Sequence, residues 1–169
     1  MQIAGKFEKV SFGQFCKDWL ETFGGNEDSA REIYNRIRLP LRATAGSAGY
    51  DFFSPLNFTL APGESIKIPT GIRVRMGEGW VLTCYPRSGL GFKYRLQLNN
   101  TVGVIDSDYY GSSNEGHIFA KLTNDSREGK TLELAAGTGF MQAIFLPFGV
   151  TEDDEAAAVR DGGFGSTSR

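Results

Sequence analysis

The chain has a single imidazole, that of His117. A Ser-His-Asp triad or a histidine-rich zinc site would have to be built on it, and nothing in its sequence neighbourhood suggests either. Cysteine is equally scarce. Cys16 and Cys84 lie far apart and in no metal-ligand spacing, so they are expected as free thiols of a cytosolic protein, because disulfides follow oxidising compartments. Long apolar runs are missing as well. The N-terminus MQIAGKFEKV lacks the apolar stretch of a signal peptide, and no later segment is long enough to span a membrane. Neither sign of charge dominates: 18 Lys and Arg stand against 20 Asp and Glu, for a formal net charge of −2. That balance offers no footprint for nucleic acid or an anionic membrane surface. A polyanionic ligand would have to be held by a few placed cations.

What is present suits one soluble domain of 169 residues, long enough to bury a core. In SFGQFCKDWLETF (11–23) the apolar residues recur at helical spacing. Ser11 and Gln14 form a capping-box pattern, and Gly24-Gly25 supplies the stop. A second short helix is expected with Ser29 and Glu32 as its box, ended by Pro40. After Pro40 the texture becomes that of strands. ESIKIPTGIRVRM (64–76) alternates from Ile66 to Met76 as one half-buried strand would. WVLTCY (80–85), YRLQL (94–98), HIFAKLT (117–123), TLEL (131–134) and FMQAIFLPF (140–148) continue the series between Gly- and Pro-rich turns. Many short strands without strand–helix alternation predict an all-β sandwich or barrel. The acidic TEDDEAAAVRDGG (151–163) reads as a tether to the tail.

Four stretches stand apart. In AGSAGYDFFSP (45–55), Asp51 follows a run of small residues, which suits either a turn or a site. In YPRSGLGFKYR (85–95), Arg87, Ser88 and Gly89 offer a guanidinium fork, a hydroxyl and an open backbone, which suit phosphate oxygens or a plain surface turn. In LNNTVGVIDSDYYG (98–111), Asp106 follows an apolar run. A carboxylate in partly apolar surroundings gains basicity and suits proton abstraction from water, and a structural Asx-turn is the competing reading. Asp108 would face the same way in an extended segment and apart from Asp106 at a turn. The tail RDGGFGSTSR (160–169) sets Phe164 among glycines, where a ring can stack on a flat ligand while Arg160, Ser166 and Thr167 reach its anion.

The order AGYDF, PRSGLG, NNTVGVIDSDYYG, GFMQAIFLP and RDGGFGSTS resembles the five motifs of the homotrimeric dUTP pyrophosphatases, or dUTPases, from about residue 37 onward. The insertion YYGSSNEGHIF resembles the subgroup of Firmicute bacteria and their phages. The resemblance implies a jelly-roll-like distorted β barrel with short N-terminal helices and a mobile C-terminal arm. It also implies a homotrimer with active sites shared between subunits. Residues 1–36 lie outside the match as a helical extension, and residues 151–169 become a tether and lid.

By position, Asp106 matches the general base that activates water for attack on the α-phosphorus of dUTP, releasing pyrophosphate. Tyr109 matches the tyrosine under the deoxyribose. Asn100 and the backbone of Gly103, Val104 and Ile105 match the hairpin that reads uracil, with Gly116 a further backbone contact. Arg87, Ser88, Gly89 and Gln142 match phosphate contacts. Asp51 and Gln142 fall near the water shell of Mg²⁺, which the triphosphate would mainly hold. Phe164 matches the stacking ring, with Arg160, Gly165, Ser166 and Thr167 around it. The chain departs from the pattern at Gly139, where an arginine often stands, in a shorter Arg160–Phe164 spacing, and at Ser168. Two other readings accompany this one: a dCTP deaminase of the same fold, and a phage-type regulatory role toward a protein partner.

Overall fold

The computed structural model describes residues 2–156. Strands dominate, as the all-β expectation requires. In chain order they are β1 (Gly5–Lys9), β2 (Tyr50–Phe53), β3 (Phe58–Leu60), β4 (Ser65–Pro69), β5 (Ile72–Met76), β6 (Trp80–Pro86), β7 (Leu96–Leu98), β8 (Gly103–Ile105), β9 (Phe119–Asn124), β10 (Leu132–Leu134) and β11 (Gly139–Pro147). Helices α1 (Phe12–Phe23) and α2 (Glu27–Arg36) follow β1, α3 (Ser88–Tyr94) follows β6, and a 3₁₀ turn covers Ser107–Gly111. The strands pair antiparallel in sheets ordered β2-β11-β6-β8, β4-β9-β7, β1-β5 and β10-β3, and hydrogen bonding among the described residues closes no barrel. Inward side chains from all four sheets meet in one core that includes Phe52, Ile68, Leu82, Leu122, Phe140 and Met141.

Several local expectations are corrected. The alternation from Ile66 to Met76 does place Ile68, Ile72 and Val74 in the core. The run is nevertheless two strands in two sheets, because Gly71 adopts φ +73° between them. The stretch after Arg87 forms α3, not a turn. The N-terminal extension is not purely helical, since β1 pairs with β5 before α1 begins.

The helix caps show how distant residues complete local signals. Ser11 caps α1 by accepting the Gln14 N–H at 3.1 Å. The reciprocal half of the box does not come from Gln14, whose side chain donates to Asp18 at 2.8 Å. Instead the Ser11 N–H donates to the Glu115 carboxylate at 2.7 Å, from a loop far along the chain. In α2 the box lies three residues earlier than expected: Asn26 is the N-cap and Ser29 its reciprocal partner. Helices α1 and α2 enclose a small second core of Val10, Phe15, Trp19 and Ala30 against the sheets.

Candidate active site

Among the described residues, strand β8 is the edge of the four-stranded sheet, paired with β6 on one side and with no strand on the other. An edge strand presents backbone N–H and C=O groups at fixed spacing, which can pair with the polar rim of a flat ring. The chain reaches β8 through a tight turn in which Thr101 takes φ +65° and the Val102 N–H donates to Asn100 O at 2.7 Å. Asn100, Gly103, Val104, Ile105 and Tyr109 wall a pocket of about 100 Å³, backed by Cys84, Ile118, Phe119 and Met141. Gly103 is opposite Cys84, and a Cβ added to it would stand 3.1 Å from the Cys84 Cβ, so the strand passes closely there. Val104 lines the pocket and is exposed.

Asp106 follows β8 at the pocket's edge and is half-buried, while Asp108 is exposed. The Asx-turn reading fails on geometry: the Asp106 backbone carbonyl accepts the Tyr109 N–H at 3.2 Å, and its side chain makes no bond that caps the turn. Tyr109 is buried, and its hydroxyl donates to His117 O at 2.8 Å while accepting from Asn114 Nδ2 at 2.8 Å. Gly116 does not line the pocket. It sits behind Tyr109 with φ +70°, and its N–H is bonded to Ser112 Oγ and Asn114 Oδ1 at 3.2 Å each. A Cβ there would come within 2.8 Å of Tyr109 O, so the loop packs this closely only with glycine.

The remaining site residues form a separate open cleft of about 450 Å³, lined by Gly49, Asp51, Arg87, Ser88, Gly89 and Gln142. Cross-strand register aligns Asp51, Gln142 and Tyr85 on one face of the sheet. Arg87 Nε lies 3.2 Å from Asp51 Oδ1, and the pair is partly exposed. Such a pair adds little stability, so its effect is to orient the guanidinium. Two glycines make the room. A Cβ at Gly139 would stand 2.8 Å from Arg87 Nη1, and one at Gly49 would stand 2.6 Å from Gln142 Oε1. Arg160, Phe164, Gly165, Ser166 and Thr167 lie outside the described residues.

The two halves do not meet within one chain. Cys84 and Met141 of the pocket project from the core side of the sheet, whereas Asp51 and Gln142 of the cleft project from the other, and the two share no lining residue. Sequence reading gave no sign of a further arrangement behind the pocket. His117 is fully buried with Nδ1 2.5 Å from Asp18 Oδ2, and its Nε2 accepts the Gly71 N–H at 2.8 Å. With Nε2 accepting from the backbone, His117 carries its proton on Nδ1 and has no nitrogen left to serve a nucleophile.

Fold and site together describe an all-β protein with a pocket beside a sheet-edge strand and a separate cleft lined by Arg87. Comparison with known proteins places the fold in a family. The family model for dUTPase matches residues 35–168. The deoxyuridine 5'-triphosphate nucleotidohydrolase of Lactococcus lactis is 44% identical over 134 residues, covering 78% of this chain and 88% of that protein. The crystal structure of the Streptococcus mutans dUTPase superposes with a TM-score of 0.63 at 35% identity, covering 86% of this chain and 98% of that one. A variant dUTPase of Staphylococcus aureus phage phi11, described with a structural Mg(II) ion, gives a TM-score of 0.57 at 23% identity over 72% of this chain and 90% of its own. At that identity it speaks for the fold alone. The chain belongs to the dUTPase family.

Proposed function

We propose that this protein hydrolyses dUTP to dUMP and pyrophosphate, with Asp106 as the general base for a water attacking the α-phosphorus. One observation carries the reading: a half-buried carboxylate that does not cap its own turn stands between a sheet-edge strand and a buried tyrosine. The β8 backbone would pair with the uracil rim. Tyr109, its hydroxyl already engaged, would present its ring beneath the deoxyribose, where a 2′-hydroxyl would clash. A pocket that pairs its polar groups with uracil rejects cytosine by leaving those groups unpaired, by about 10⁴–10⁵-fold at best. General-base assistance from Asp106 would contribute about 10²–10⁴-fold.

Arg87, Ser88 and Gly89 would bind the triphosphate. Among the described residues no three His, Cys, Asp or Glu side chains cluster as a metal cage. Asp51 and Gln142 nevertheless fit the outer water shell of Mg²⁺, which favours hydrated, phosphate-held coordination. When bound, the ion would neutralise charge on the phosphate oxygens. Because pocket and cleft lie on opposite sides of the sheet, one nucleotide would draw on two chains, which supports the homotrimer. Arg160, Phe164, Gly165, Ser166 and Thr167 would close over the site as a lid at the end of the single domain 1–169. Among the described residues no helix is long and apolar enough to cross a membrane, and the reading places the enzyme in the cytoplasm, where its substrate forms.

The test is pyrophosphate release from dUTP, dTTP, dCTP and UTP with Mg²⁺ present. Turnover of dUTP alone is expected, with Asp106→Asn losing about 10²–10⁴-fold in kcat while keeping nucleotide affinity. Ammonia from dCTP would establish the deaminase reading instead. Full turnover by Asp106→Asn would remove the assigned base.

A further inference from the structure

The N-terminal segment, which precedes the family match beginning at residue 35, grips the loop behind the pocket at successive points. From β1, Glu8 accepts the Tyr110 hydroxyl at 2.7 Å, while Arg73 of the neighbouring strand β5 donates to the same hydroxyl at 2.7 Å. From the start of α1, the Ser11 N–H and hydroxyl donate to the two Glu115 oxygens at 2.7 and 2.6 Å. From the middle of α1, buried Asp18 accepts His117 Nδ1–H at 2.5 Å. The loop so held is the one that sets the pocket wall. His117 O receives the Tyr109 hydroxyl, and the next two residues, Ile118 and Phe119, line the pocket. A Cβ at Gly116 would stand 2.8 Å from Tyr109 O, so the loop packs closely against the tyrosine backbone between these anchors.

We propose that β1 and α1 form a positioning clamp for the nucleotide pocket, in which Asp18 acts through His117 to fix the Tyr109 ring. The inference rests on the nucleotide reading of that pocket. Asp18 touches no substrate and is a positioning residue. Its bond to Nδ1, together with the Gly71 N–H on Nε2, locks the imidazole in one tautomer and one orientation. The His117 carbonyl, and with it the tyrosine, inherits that placement. Close-packed interiors pass such constraints on because they leave no room to relax.

The experiment compares the full-length chain with Asp18→Ala, Asp18→Asn and Glu115→Gln, using dUTP and UTP kinetics and amide hydrogen exchange over residues 107–118. In Asp18→Ala, the KM for dUTP is expected to rise about tenfold while kcat changes less than about threefold, since a lost positioning contact weakens ground-state and transition-state binding alike. The dUTP-over-UTP preference should narrow by a similar factor. Exchange over 107–118 should quicken about tenfold with strand β11 unchanged, the mark of local loosening. Asp18→Asn, whose amide oxygen still accepts from Nδ1–H, should recover most of the loss, which a general packing defect would not. If Asp18→Ala does not fold, Glu115→Gln decides by the same readouts, with a smaller rise in KM expected. Unchanged KM, preference and exchange in a folded variant would overturn the clamp. A wild-type chain that fails to hydrolyse dUTP sinks the nucleotide reading separately, and the exchange rates then still report whether the clamp exists.

Discussion

Replacing Tyr109 by Phe isolates the hydroxyl that ties the pocket to its supporting loop. The ring stays, so the pocket wall keeps its shape. Two buried bonds go: donation to His117 O at 2.8 Å and acceptance from Asn114 Nδ2 at 2.8 Å. A typical buried hydrogen bond contributes about 1 kcal/mol net, and an abandoned partner adds a desolvation cost. Asn114 Nδ2 already lies 3.5 Å from His117 O and can turn toward it, so the two abandoned groups partly satisfy each other. The expected loss is therefore roughly 2 kcal/mol. For a chain of this size that lowers Tm by about 4–8 °C. Thermal and urea unfolding should be measured at matched protein concentration, because an oligomer's apparent stability depends on it. Turnover of dUTP should fall less than that of Asp106→Asn, since the reacting groups are untouched. A melting temperature equal to wild type would show that the hydroxyl is not a buried link, and the account of how the loop sets the pocket would fail with it.

Other perturbations test the remaining parts. In Gly139→Ala the new Cβ meets Arg87 Nη1 at 2.8 Å; the guanidinium can swing away, so stability should change little while KM for dUTP rises roughly tenfold, and an unaltered KM would remove Arg87 from the phosphate site. Burial pushes the Cys84 thiol up to about 12, whereas Cys16 is only half-buried. Brief alkylation of the native protein near pH ~8 followed by peptide mapping should therefore label Cys16 and spare Cys84, and equal labelling would contradict the packing around Cys84. Burial opposes the charge on Asp18, but hydrogen bonds from His117 and Gln14 outweigh it and hold its carboxyl below the ordinary range. A carboxylate depressed in the folded state stabilises above its unfolded value, and that contribution is lost as pH falls through the folded one. Melting temperature should thus drop in acid more steeply for wild type than for Asp18→Asn, and parallel profiles would refute the linkage.

The relation between sequence and structure differs from element to element. The strand at 80–85 and the helix at 12–23 were legible because each carries its own period of apolar residues. Strands β1 and β3 were not, since a short run such as FTL gives too few residues for a period to show. The helix at 88–94 was masked by glycines that read as a turn. The box of α2 is not legible because Ser29 stands where the usual pattern has Glu or Gln, so Ser29 and Glu32 match the sequence rule better than Asn26 and Ser29, which form the box. Motifs in the sequence single out Asp51, Arg87 and Gln142; the sheet register puts Asp51 opposite Gln142, and an ion pair brings Arg87 to Asp51.

Taken by itself, the order of residues settled the all-β class and the family, because periodicity and motif are written in neighbouring positions. Tertiary structure alone decided that pocket and cleft lie on opposite sides of one sheet, and that Asp18 meets His117 across 99 positions of chain. Contacts of that kind depend on how separate elements pack, and no local pattern of side chains encodes them.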